Sequence, residues 1–238
     1  MGEGLEPAVR DLIQRSLDLL VREAGAELVE ISLPSVKYCV SVYYIIATAE
    51  ASSNLARFDL LRYGKRPAEV GSYNLKDWYE EMRGKLFGAE VKRRIMIGTH
   101  VLSSGYYDAY YLKAQKVRRL IADEINQAMT QHNLDLIAGP VSPNAGIRFG
   151  QCLADPLSMY LNDILTISVN LAGAAGMSVP AGLTPEGLPV GLQLVAPRGR
   201  EDRLFSAAIQ FEDARGPLPE PPETAIAACN ARERGLAR

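Results

Sequence analysis

The chain changes its periodicity near residue 134. Between residues 106 and 132, Leu112, Val117, Leu120, Ile121, Ile125 and Met129 recur at helical spacing, which predicts a long amphipathic helix. Directly after it, Leu134-Asp135-Leu136-Ile137-Ala138 predicts a short strand closed by Gly139-Pro140. A chain that passes from helical to strand periodicity must bury both kinds of face in one core. The fold class that satisfies this is α/β.

The same alternation extends to both sides. Pro7 suits the first turn of a helix, Val9, Leu12, Ile13, Leu17 and Leu20 give its apolar face, and Gly25 ends it. Val29, Ile31 and Leu33 alternate with polar residues, which predicts a strand over 27–33 stopped by Pro34. Residues 36–62 predict a helix with a polar end, 62–74 a loop, and 89–103 a further helix, with a short acidic helix carrying Trp78 and Tyr79. Beyond the Pro/Gly-rich stretch 140–156, a helix is expected from Leu157 to Ile164. Met177–Pro180 and Val190–Val195 predict strands flanking a turn at Thr184–Gly187, and 202–212 a last amphipathic helix. From Gly216 the sequence is Pro-rich and then charged, so the expected division is one unit over 1–215 and a tail over 216–238.

Composition narrows the function classes. The 238 residues carry a net charge of −2, with 47% hydrophobic and 23% charged residues, which excludes a disordered chain and a strongly basic nucleic-acid binder. No stretch approaches the roughly 18 apolar residues of a membrane span, and the acidic start Met1-Gly2-Glu3-Gly4 has no apolar core like that of a secretory signal. Cys39, Cys152 and Cys229 are odd in number and far apart, so neither a disulfide framework nor a metal site is expected, and a reducing cytoplasm fits best.

Chemistry has few places to reside. His100 and His132 are the only histidines, so a serine triad would depend on one of them. The chain has no Gly-rich nucleotide loop, no zincin motif and no nucleophile elbow. Ser103-Ser104-Gly105 reads as a helix break before it reads as an activated serine. Tyr106, Tyr107, Tyr110 and Tyr111 cover one helical side, where packing is the first expectation and ligand stacking the second. Arg93 and Arg94 cannot both point the same way, and an inward arginine needs an anionic partner. Asp163 lies among Tyr160, Leu161, Ile164 and Leu165, where a carboxylate is expected to cap a helix, pair with a cation or hold a ligand. An arginine fork and a carboxylate together would clamp a zwitterion, the guanidinium on an α-carboxylate and Asp163 on an α-ammonium.

At these residues the sequence resembles a known family. Tyr43–Asp59 (YYIIATAEASSNLARFD), the run from Glu90 through Arg118, and Asp155–Asp163 leading into Val169–Gly173 and Gly187–Leu194 stand in the same order as in the A subunit of the bacterial glutamyl-tRNA(Gln)/aspartyl-tRNA(Asn) amidotransferase. The resemblance spans nearly residues 5–215 and places the chain within the amidase signature family. It implies a mixed sheet with helices on both faces, incomplete at its N-terminal side. It implies glutamine hydrolysis that supplies ammonia to a partner B subunit, with a small C subunit steadying the pair. ATP and Mg, and contact with tRNA, are then expected only through the partner subunits, and no cofactor or metal in this chain.

By motif match Tyr43, Arg94 and Asp163 fall on positions of the family's glutamine pocket. Arg94 would take the substrate α-carboxylate, Asp163 the α-amino group, and Tyr43 would lie beside the substrate. The family's catalytic lysine, bridging serine and nucleophilic serine belong to a Gly/Ser-rich signature that precedes every block found here. No such stretch occurs in 1–238, so no catalytic residue is assigned and the chain is expected to be inactive alone. The alternatives are a non-catalytic scaffold or partner-binding fragment from a truncated or split gene, and a related small-molecule amidase.

Overall fold

The computed structural model describes residues 4–59, 62–64, 74–147 and 162–220. In chain order it places α1 (Pro7–Ala24), a 3-10 turn (Pro34–Tyr38), α2 (Cys39–Asn54), a second 3-10 turn (Leu55–Arg57), α3 (Leu75–Leu86) and α4 (Ala89–Val101). There follow a π-helical turn (Tyr107–Leu112), α5 (Lys113–Gln131), β1 (Ile137–Pro140), α6 (Ile164–Ala172), β2 (Ala175–Leu183), β3 (Pro189–Ala196) and α7 (Glu201–Arg215). The three strands form one sheet in the order β1-β3-β2, antiparallel at both junctions. The architecture is mixed α/β, with helices packed on both faces of this sheet.

Two-residue alternation along β3 separates the faces. Val190, Leu192, Leu194 and Ala196 point to one side and meet Val9 and Ile13 of α1 and Leu204, Ala208 and Phe211 of α7. Val195 points to the other side, with Ile137 of β1, and meets Cys39, Val42 and Ile46 of α2, Ile121 and Ile125 of α5, and Ile167 and Leu171 of α6. Burying about a dozen apolar side chains on each face supplies the main stabilisation, at about 1.5–3 kcal/mol for each large one before ordering entropy is counted. A third, small cluster joins Trp78 and Met82 of α3, and the Trp78 indole N–H donates to the Asp59 carbonyl at 2.9 Å.

Several expectations hold in detail. Pro7 opens α1, and Gly25 ends it in the left-handed conformation (φ 65°) that glycine adopts without strain. The β2–β3 hairpin turns between Leu183 and Pro189, with the Gly187 N–H donating to the Thr184 carbonyl at 2.9 Å.

Others are corrected. Residues 27–33 form no strand: Leu28 and Val29 are exposed, and Pro34 opens a 3-10 turn. Among the described residues no strand pairs with this segment, so its alternation has no ladder to join. β1 lies three residues later than expected and includes Gly139-Pro140, because Pro140 ends it opposite Leu192 of β3. On α5 the buried line is Ala114, Ile121, Ile125 and Met129, whereas Leu120 is 61% exposed. The expected loop at 62–74 and the helix from Leu157 fall mostly outside the described residues, and α6 starts where that helix was expected to end.

Candidate functional site

The crossing of α2 and α4 positions two of the three residues singled out from the sequence. Gly98 makes the crossing close: a methyl group there would sit 2.0 Å from the Thr48 carbonyl oxygen and 2.8 Å from Ser52 Cβ. Only a residue without a side chain allows that approach. Thr48 is buried and turns its hydroxyl back onto its own helix, donating to the Tyr44 carbonyl at 2.6 Å, so the contact surface carries no unsatisfied group. One turn toward both N-termini from this contact lie Arg94 and Tyr43.

The Arg94 Nε–H donates to Glu90 Oε1 at 2.9 Å, and Tyr43 lies near enough to act on the guanidinium. The Arg94 pKa is raised above its ordinary value, first by Glu90 and then by Tyr43. Glu90 is held below the usual carboxylate range, first by Arg94, and its other oxygen meets Arg93 Nη2 at 2.5 Å. One carboxylate therefore joins both tandem arginines, which supplies the anionic partner the sequence required. The Arg94 side chain remains 34% exposed, so a dissolved ligand can reach it. Tyr43 is half-buried, and its ring meets that of Tyr44 edge-on at 5.2 Å.

Asp163 stands elsewhere on the same layer. It occupies the cap position before α6, and its carbonyl accepts from Thr166 N at 3.0 Å and Ile167 N at 3.1 Å. Its side chain makes no capping hydrogen bond and is exposed. Capping thus falls to the backbone and leaves the carboxylate available. Arg94 pairs with Glu90 and not with Asp163. α6 is fixed against α2 and α5 by the second core cluster and by Arg118, whose Nε donates to the Leu171 carbonyl at 3.0 Å.

The remaining candidates resolve differently. Ser103 Oγ donates to the His100 carbonyl at 2.6 Å where α4 ends, so the helix-break reading holds and the hydroxyl proton is committed to a backbone acceptor. Tyr106, Tyr107 and Tyr110 are 40–50% exposed, against the packing expectation. Tyr106 stacks on Tyr110 at 5.9 Å and lies 4.2 Å from the His100 ring. The Cys39 thiol is buried and pushed up to about 11, by burial first and by Glu124 second, which makes it inert as a nucleophile. Among the described residues no group of three His, Cys, Asp or Glu is placed to hold a metal ion. Among them, too, no helix is long and apolar enough to cross a membrane.

Two grooves lie away from these residues, against the α1 and α7 layer. One is lined by Leu12, Arg15, Arg22 and Phe211, the other by Leu28, His132, Asp135 and Arg203. Neither converges on an unpaired buried polar group, so they rank below the α2–α4 crossing as chemistry.

Sequence reasoning missed Glu90 and Gly98. Each left a signal: Glu90 stands four residues before Arg94, the spacing of a helical ion pair, and a lone glycine inside a helical pattern marks close packing.

Comparison with known proteins agrees with the blocks quoted above. The family model described as Amidase matches residues 1–205. The glutamyl-tRNA(Gln) amidotransferase A subunit of Anaeromyxobacter dehalogenans is 54% identical over 224 residues, covering 94% of this chain and 44% of that protein. The corresponding A subunit of Methylococcus capsulatus is 51% identical over 213 residues, covering 90% of this chain and 43% of that protein. The chain thus spans less than half the length of these relatives. Among solved structures, a bacterial aryl acylamidase described as an amidase signature enzyme superposes with a TM-score of 0.60 at 21% identity, over 88% of this chain and 41% of that one. At that identity the likeness establishes the fold.

Proposed function

This chain belongs to the amidase family, and on that premise we propose that it is the glutamine-binding portion of the A subunit of a glutamine-dependent amidotransferase. The observation that carries the reading is that Arg94 and Tyr43, about fifty positions apart, come close at a crossing that only Gly98 permits. In this reading the Arg94 guanidinium receives the α-carboxylate of glutamine, and the exposed Asp163 carboxylate receives the α-ammonium. Tyr43 lies beside the bound substrate and holds Arg94 from one side. The clamp fixes the amino-acid end of glutamine and leaves its side-chain amide free to be presented to a nucleophile.

No Lys/Ser/Ser signature lies within residues 1–238, so the hydrolytic step draws on residues outside this sequence. Alone, the chain binds glutamine without turning it over. In the whole enzyme, the ammonia released would amidate Glu-tRNA(Gln) or Asp-tRNA(Asn) on a B subunit, with a C subunit in the complex. ATP and Mg are used there and not in this chain, and the setting is cytoplasmic. An ammonia-release assay tests the division of labour. The purified chain is expected to show no glutaminase turnover, and turnover is expected to appear when the N-terminal half of the Methylococcus capsulatus relative is co-expressed. Turnover by the chain alone contradicts the reading.

A second reading, a partner-binding fragment with no glutamine role, is favoured by one observation. Met96 is 73% exposed, and Ile97, Tyr106 and Tyr110 are exposed nearby in sequence on α4 and the π turn. Stable co-purification with a second polypeptide, together with no glutamine binding, selects this reading over the first.

A further inference from the structure

We propose that Glu90 is a positioning residue for Arg94: it holds the Nε–H side of the guanidinium so that the terminal edge faces a ligand carboxylate. The inference rests on the reading of Arg94 as the carboxylate receptor. A guanidinium has five N–H donors. Glu90 takes the one on Nε at 2.9 Å, and Tyr43 lies near the group. With the Nε contact made, about four donors remain on the two terminal nitrogens, enough for a fork across them. The side-on fork that would use Nε is closed by Glu90.

Glu90 is itself held. Its second oxygen is bound by Arg93 Nη2 at 2.5 Å, so the carboxylate does not swing forward to occupy the terminal edge of Arg94. The neighbouring Lys92 turns its amine to the Gly84 carbonyl at 2.9 Å and does not compete for Glu90. Arginine is a long side chain with several soft torsions, and one left 34% exposed would otherwise sample many of them. The contact at Nε restricts that sampling before the ligand arrives, which is preorganisation.

Electrostatics alone predicts the opposite sign. Glu90 brings a negative charge beside a site for an anion, so deleting that charge would tighten carboxylate binding if Glu90 acted only through its field. Positioning predicts that losing the acceptor weakens binding. Glu90→Ala removes both charge and acceptor, whereas Glu90→Gln removes the charge and keeps an acceptor oxygen. Calorimetric titration of L-glutamine into the purified chain is expected to give about tenfold weaker binding for Glu90→Ala. Glu90→Gln is expected to fall within about twofold of the unaltered chain. Equal or tighter binding by Glu90→Ala overturns the proposal.

The Arg94 Nε–H signal, assigned in a nitrogen-15 NMR spectrum by its absence in Arg94→Lys, gives a readout that does not depend on ligand. It is expected to exchange slowly with solvent in the unaltered chain and in Glu90→Gln, and fast in Glu90→Ala. Unchanged exchange in Glu90→Ala also overturns the proposal. If Arg94→Lys and the unaltered chain bind glutamine equally, the reading of Arg94 as receptor fails instead, and the exchange experiment still judges Glu90.

Discussion

The two faces of the sheet are built on different principles. On the α1 and α7 side, side chains from both helices interlock with every second residue of β3, and the contact is apolar and closed. On the α2, α5 and α6 side, helices also pack on one another, and α4 crosses α2 closely enough at Gly98 to bring it against the Thr48 main chain. The first arrangement holds the fold. The second holds it and also leaves Tyr43 and Arg94 partly exposed and Asp163 exposed. Arg94 and Tyr43 are thus placed by a helix–helix distance, with the sheet as the floor beneath α2.

If this division is right, the faces can be damaged separately. The largest effect is expected at Phe211, which is fully buried against the sheet: Phe211→Ala should cost about 3–5 kcal/mol in urea denaturation. Glutamine affinity measured at a temperature where the variant stays folded should be unchanged. A matching loss of affinity would merge the two faces into one functional unit.

Gly98→Ala sharpens the contrast from the other side. Its methyl meets the Thr48 carbonyl, so we expect about 1–3 kcal/mol of destabilisation together with weaker glutamine binding, as α4 moves away from α2. The control is Gly84→Ala in α3, where nothing lies within 4 Å and a gain of about 0.5–1 kcal/mol is expected. If both substitutions behave alike, the close approach does not set the site.

Arg94→Ala should leave stability within about 0.5 kcal/mol, since its ion pair with Glu90 is a partly exposed one on a helix surface. It should weaken glutamine binding by roughly ten- to a hundredfold, the scale of a lost charged fork. Calorimetry and a denaturation curve on the same preparation check both halves of that statement.

The smallest effect is a pH dependence at Cys39. Burial raises the folded-state thiol to about 11, above an ordinary value of 9.0. Between those values the unfolded chain loses the proton while the folded chain keeps it, so this contribution to stability is present below pH 9 and is lost as pH rises toward 11. Cys39→Ala should flatten the fall in melting temperature over that window and change nothing in the slope at neutral pH.

The sequence made one face far more legible than the other. Pro7, Gly25 and the alternation along β3 act locally, through dihedral preference and two-residue periodicity, and they read directly as α1 and the β2–β3 hairpin. The alternation over 27–33 obeyed the same rule and failed, because a strand also needs a partner edge, and that information lies outside the segment. Leu120 illustrates the same limit on α5, where a helical repeat cannot say which of two adjacent residues faces the core. For the proposed site, family resemblance pointed to Tyr43, Arg94 and Asp163, but how Arg94 and Tyr43 come close depends on the approach of Gly98 to Thr48, which the sequence does not display. For Asp163 the sequence left capping, ion pairing and ligation open; the backbone does the capping, and the carboxylate is exposed.

The central claim is that Tyr43, Arg94 and Asp163 serve one ligand. Titration of L-glutamine into isotope-labelled chain, followed through backbone amide chemical shifts, tests it most directly. The account predicts saturable shifts confined to three places: α2 around Tyr43, α4 around Arg94 and the start of α6 at Asp163. Those shifts should vanish in Arg94→Ala. Shifts that fall instead in the grooves beside α1 and α7, or that persist unchanged in Arg94→Ala, would contradict it.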